Sequence, residues 1–168
     1  MPSVKRSLTS RARAATPRPV PAGAQPSAVR TWLAVVRTYL LCDEVMAVRL
    51  APLGVRIAEH EVLANVASEP GLSQQDLAAR CFTAKSHVSA LVVSLEQRGW
   101  LQREVDPDDA RVRRLRLTRS GEAMARKTMA AQAEVVQAMA AQVSSAELLG
   151  IESAMQRVGQ ALEALRDR

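Results

Sequence analysis

A mainly α-helical chain with one small β-hairpin is the fold class this sequence predicts, and three observations carry it. The 168 residues include 29 Ala but only two Trp, one Tyr and one Phe. Ala loses no side-chain entropy in a helix, whereas aromatic and β-branched residues dominate strands. Apolar residues recur at three- and four-residue spacing in successive segments between clear stop signals. Strand-capable text is confined to two short runs that flank the turn sequence Asp106-Pro107-Asp108-Asp109.

Residues 1–28 hold five of the eight Pro, carry Lys5, Arg6, Arg11, Arg13 and Arg18, and contain no acid. With little to bury, this segment reads as a disordered basic arm; it lacks the apolar core of a secretory signal. A first helix is predicted from about Ala28 to Leu50, with Leu33, Val36, Leu40, Ala47 and Leu50 at helical spacing, closed by Pro52 and Gly54. A second runs from about Ile57 to Ser68 and stops at Pro70-Gly71. Ser73-x-x-Asp76 is a capping-box variant that opens a short helix to about Arg80. Residues 81–83 leave room only for a tight turn before a longer helix, about Ala84 to Arg98, with Val88, Leu91, Val92 and Leu95 on one side and Gly99 as its stop.

The hairpin follows, over Trp100–Val105 and Val112–Leu117. Thr118 then caps a helix to about Gln142. Ser144-x-x-Glu147 is a full capping box for the last helix, which reaches about Leu165. In that helix Leu148, Ile151, Met155, Val158, Leu162 and Leu165 repeat every 3.5 residues, a narrow seam suited to packing along another helix. A weaker version, Met124, Thr128, Ala131, Val135 and Ala138, lies on the helix before it. The two helices packing only on each other is one reading. A thin body with long terminal helices would leave much apolar surface wet, which favours a dimer.

The formal net charge is +6. It is distributed as +5 over residues 1–28, −2 over 29–79, +4 over 80–119 and −1 over 120–168. One basic segment on a near-neutral body is the footprint of a polyanion-binding surface, although a solvated face has the same look. No run of 18 apolar residues exists to span a membrane. Two Cys and two His exclude a disulfide scaffold and a Cys-rich zinc finger, and suit a reducing compartment. No nucleophile–base set, phosphate-cradling Gly loop or carboxylate pair stands out, so no enzyme, cofactor or metal is expected.

Helix, tight turn, longer helix and hairpin make the layout of a winged helix-turn-helix. A helix fits the major groove and presents short polar side chains from its first turns to base edges. The helix before it meets phosphates through its N-terminus, here at Ser73 and Gln74. The hairpin reaches the neighbouring minor groove or backbone.

The text resembles the MarR family of transcriptional regulators. The matching residues are Leu50-Ala51-Pro52-Leu53-Gly54, Glu61-Val62-Leu63, Leu77-Ala78, Val88-Ser89, Leu95-Glu96-Gln97-Arg98-Gly99-Trp100-Leu101, Asp106-Pro107-Asp108-Asp109-Ala110-Arg111, and Leu117-Thr118 with Gly121. The resemblance covers about residues 29–165. It implies a homodimer that binds a pseudo-palindromic operator on double-stranded DNA, acts in the cytoplasm at the bacterial nucleoid, and is a repressor released by a small-molecule effector. Helix 84–98 would read the major groove through Lys85, Ser86, His87 and Ser89. Arg111 matches the wing Arg placed in the minor groove, with Asp106, Asp108 or Asp109 holding the turn. Arg113, Arg114 and Arg116, with Arg80, match phosphate contacts. The expected division is an arm (1–28), an N-terminal dimerisation helix (29–56), the DNA-binding domain (57–119) and C-terminal dimerisation helices (120–168). An effector pocket would involve Trp32, Tyr39 and His60. The chain departs from the family's pattern at Phe82, where Gly is usual, and at Thr83, Ala84, His87 and Ala110.

Two alternatives stand beside this reading. A winged helix can serve protein–protein assembly, its basic segment facing an acidic partner. Cys42 could make the chain a thiol-based redox sensor, although Cys42 and Cys81 both occupy positions that suit core cysteines. Cys42 and His60 with Glu59 or Glu61 have no ligand spacing.

Overall fold

The structure, a computed structural model, describes residues 27–81, 85–109 and 111–167. The predicted arm at 1–26, the tight turn at 82–84 and Ala110 lie outside the described residues. The elements run α1 (Ala28–Leu50), a 3-10 turn (Ala51–Leu53), α2 (Ile57–Ser68), α3 (Gln74–Arg80), α4 (Lys85–Gln97), β1 (Leu101–Val105), β2 (Arg113–Leu117), α5 (Arg119–Ala140) and α6 (Ser145–Arg166). The expected class, mainly α with one hairpin, is the observed one.

Side-chain caps fix the helix starts. Ser73 Oγ accepts from the Asp76 amide at 3.1 Å and donates to the Asp76 carboxylate at 2.7 Å. The Ser73 pairing is therefore between side chains, not the reciprocal box seen at Ser144. There the Ser144 amide donates to Glu147 Oε2 at 2.7 Å and Ser144 Oγ accepts from the Glu147 amide. Gly99 ends α4 at φ 68°, a left-handed conformation costly for residues with a Cβ. Helix α5 ends at Ala140, two residues before the expected Gln142.

The main core lies where α2, α3, α4, the hairpin and the start of α5 converge. It contains Val62, Leu63, Val66, Leu77, Val88, Leu91, Val92, Leu95, Leu101, Leu115 and Ala125. The strands are antiparallel, with Leu101 opposite Leu117 and Arg103 opposite Leu115. Residues 71–73 add a short third edge: the Gly71 amide donates to Leu115 O and the Leu115 amide to Leu72 O, both at 2.9 Å. The hairpin is thus hydrogen-bonded to the segment that leads into α3. Its base is pinned to α5, because Thr118 Oγ1 and Ser120 Oγ both donate to Gly99 O, at 2.7 and 2.8 Å.

The apolar stripe of α5 is filled within the chain. Thr128 is fully buried, and Val135 packs with Met46 and Leu50 of α1 in a second small cluster. Helix α6 differs: it buries none of its residues. Its seam, from Leu148 to Leu165, is between 40% and 63% exposed. The weaker seam therefore faces this chain's own α1 and α2, and the stronger one faces outward.

Candidate nucleic-acid interface

The start of α3 and the outer face of α4 lie side by side. Ser86, His87 and Ser89 are exposed on α4. Gln74, the first residue of α3, donates from Nε2 to Ser89 Oγ at 2.7 Å. This bond braces the two helices through the residues assigned to reading and leaves the Ser89 hydroxyl proton free to donate elsewhere. Lys85 opens α4. Arg80 is engaged with Glu69 across 2.7 Å, a link between the end of α3 and the end of α2.

Asp106 organises the wing turn. It is 6% exposed. Its Oδ1 accepts from the amides of Asp108 and Asp109 at 2.8 and 3.0 Å, and its Oδ2 accepts from Arg114 Nε. The Arg114 guanidinium and the two amides hold the Asp106 carboxyl below the usual carboxylate range. Asp109 Oδ1 in turn accepts from the Arg111 amide at 2.9 Å. Two of the three candidate turn residues, Asp106 and Asp109, thus bond the turn through their side chains. The amide of Asp108 takes part as a donor.

The wing cations divide into two groups. Arg111 and Arg113 are exposed, and neither forms an ion pair among the described residues. Arg114 pairs with Asp106 and donates to Gly71 O at 3.3 Å, so it braces the turn and the third edge. That corrects its expected part as a free phosphate contact. Arg116 pairs with Glu104 on the facing strand at 2.7 Å. Strand register explains both pairings, because Glu104 lies opposite Arg114 and Gln102 opposite Arg116, which puts each Arg one residue diagonally from its acid or beside it across the turn.

A second network lies behind α4. The Glu59 carboxylate is buried, and it accepts from the Arg56 amide at 2.9 Å, from Arg56 Nη2 at 3.0 Å and from Arg98 Nη1 at 3.3 Å. Burial pushes its acidity down, yet the Arg56 bonds and both cations outweigh that and hold its pKa below the ordinary value. Arg98 also donates to Gly54 O at 2.9 Å and stacks 3.7 Å over the Trp100 ring. This clamp ties the end of the reading helix to the segment after α1. Sequence reading missed it; the signal present was a lone acid three residues after Arg56 at a helix start.

Tyr39 and His60 line one cavity of about 300 Å3 between α1, α2 and α5, together with Cys42, Asn65 and Gln132. His60 is 3% exposed, and its Nδ1 has no hydrogen-bond partner among the described residues. Burial lowers its pKa, partly offset by a bond with the Gln132 side chain. Trp32 does not line this cavity: it is 62% exposed, on the outward side of α1. Cys42 is half-buried and packs beside the α1–α5 cluster. Cys81 is buried in the main core, where desolvation, and then the Glu61 charge, push its thiol up to about 11.

No helix among the described residues is long and apolar enough to cross a membrane. No group of His, Cys, Asp and Glu among them is placed to hold a metal ion.

Residues 53–112 match the model of the MarR family. Among curated proteins no match is found. Solved structures share the fold. The Staphylococcus aureus MepR–DNA complex is 21% identical, with TM-score 0.69 over 79% of this chain and 97% of that one. A mutant Escherichia coli MarR complexed with operator DNA is 18% identical, with TM-score 0.68 over 77% of this chain and 94% of its own. The PcaV transcriptional regulator of Streptomyces coelicolor, in complex with its natural ligand, is 24% identical, with TM-score 0.63 over 83% of this chain and 99% of its own.

Proposed function

From the premise that this chain is a MarR-family winged helix-turn-helix protein, we propose that it works as a homodimeric, sequence-specific transcriptional repressor released by a small-molecule effector. The observation that carries the reading is one continuous basic and polar surface. The exposed face of α4, with Ser86, His87 and Ser89, joins the Gln74 end of α3, and a braced wing presents Arg111 and Arg113 unpaired. Short polar side chains on α4 suit base edges in the major groove. Free guanidiniums on the wing suit phosphates and the minor groove. Lys85 and Ser73 extend the same surface at the helix starts, and Arg80 and Arg116 serve once they exchange their surface acids for phosphate.

Dimerisation is supported by the α6 seam and by the exposed Val29, Trp32, Leu40 and Leu41 of α1, more apolar surface than a monomer ordinarily leaves wet. In this division α1 and α6 pair the two chains, and α5 connects that interface to the reading head. The basic arm adds non-specific affinity for DNA. The cavity holding Tyr39 and His60 is the effector site of this reading, at the joint between α1 and the reading head. A cytoplasmic place of action follows from the DNA partner.

Footprinting on DNA upstream of the chain's own gene tests the reading. It expects protection of a pseudo-palindrome with half-site centres about 10 bp apart, one helical turn. Weak, sequence-blind binding would instead support an assembly module.

A further inference from the structure

A cavity of about 410 Å3 opens where the end of α2, the base of β2 and the first half of α5 meet. It is separate from the cavity that holds Tyr39 and His60, and it lies behind the wing, away from the α4 reading face. Its floor is apolar, formed by Val66, Leu117 and Ala125. Three charged side chains line it: Arg116, Glu122 and Arg126. Arg116 is already engaged with Glu104, whereas Arg126 forms no ion pair among the described residues. The lining therefore carries two guanidiniums against one carboxylate, a net charge of +1, over a floor that excludes water from one side.

We propose that this cavity binds a small organic acid, a monoanion with a compact apolar body, whose carboxylate is taken by Arg126 and Arg116 while its body covers Val66 and Leu117. A planar guanidinium donates two parallel hydrogen bonds to a carboxylate, which is why a lone Arg beside an apolar floor selects this ligand class. Glu122 limits the site to one negative charge, because a second would face it unneutralised. Arg116 is shared: the guanidinium that would hold the ligand also ties β2 to β1 through Glu104. Occupancy is thus linked to how tightly the hairpin is braced. The binding claim itself does not depend on the DNA-binding reading.

The probe is cyclohexanecarboxylate, with the neutral cyclohexanecarboxamide as its control, titrated by calorimetry into the full chain. Saturable binding of the acid at one site per chain is expected, with the amide weaker by roughly tenfold or more, the factor that loss of one charge-assisted pair represents. Arg126→Gln removes an exposed side chain that buries nothing, and it should weaken the acid by a similar factor. Tyr39→Ala, in the other cavity, should leave the affinity unchanged. Amide exchange within 101–117 should change on saturation. Absence of saturable binding, equal binding of acid and amide, undiminished binding to Arg126→Gln, or loss of binding in Tyr39→Ala would each overturn the assignment.

Discussion

Asp106 and Arg114 close the wing from its two sides. Arg114 Nε donates to one carboxylate oxygen of Asp106, while the other oxygen takes the amides of Asp108 and Asp109. A single buried carboxylate therefore sets both the turn and the facing strand. Asp106→Ala leaves those amides and the Arg114 guanidinium without their shared acceptor. DNA affinity should fall while helix content and subunit association stay as in the parent, as measured by gel shift, circular dichroism and sedimentation. The folded pKa of Asp106 is lowered, so its contribution is complete above the ordinary carboxylate range. It is lost as pH falls through the depressed value.

Arg111 has its backbone fixed by Asp109 and its side chain exposed and unpaired. Arg111→Ala should weaken operator binding by roughly tenfold or more, the scale of one groove contact. It should reduce the slope of log K against log salt by about one unit if the contact is to phosphate. Binding as tight as the parent's would show that the wing does not use this residue.

Gly121 sits on the first turn of α5 against the hairpin base. A Cβ there would lie 1.8 Å from the Trp100 carbonyl oxygen, a backbone atom that cannot step aside. Gly121→Ala should destabilise the fold by about 3 kcal/mol, the upper end for overpacking. Gly150 on α6, off the apolar seam, has nothing within 4 Å of the same position. Gly150→Ala should raise stability by about 0.5–1 kcal/mol through backbone entropy. Thermal melts of the two variants, moving in opposite directions, check this.

His60 is buried with one ring nitrogen unpaired, and its folded pKa lies below the ordinary His value of 6.5. Below that value the unfolded chain takes up the proton first, so His60 costs stability progressively as pH falls from about 6.5. Melts at pH values on either side should show this loss in the parent and not in His60→Gln. An identical pH profile for the two chains would contradict it. An effector that bonds the free Nδ1 should also lose affinity in this variant.

Much of this molecule is legible in its sequence. Stop residues such as Gly99 and caps such as Thr118 and Ser144 act locally, so helix limits follow from spacing. The 3.5-residue seam of α6 is equally plain. What escaped were contacts between segments. Arg114 reads as one of four similar wing cations, and only the fold brings the Asp106 oxygen to its Nε. Glu59 and Arg98 lie 39 positions apart, and no periodicity links them. Trp32 and Tyr39 share a helix with His60's neighbours in space, yet one helix rotation separates the exposed Trp32 from the cavity that Tyr39 enters.

Two chains gripping one duplex through paired reading heads is the central claim, and sedimentation equilibrium of the protein mixed with its footprinted site tests it most directly. The free protein should sediment as a dimer, and the complex should contain two chains per duplex, with random duplex bound more weakly. Ile151→Glu combined with Val158→Glu should yield folded monomers that lose this affinity, since α6 buries nothing in its own chain. A parent protein that sediments as a single chain, or that binds random duplex as well as its own site, would contradict the account.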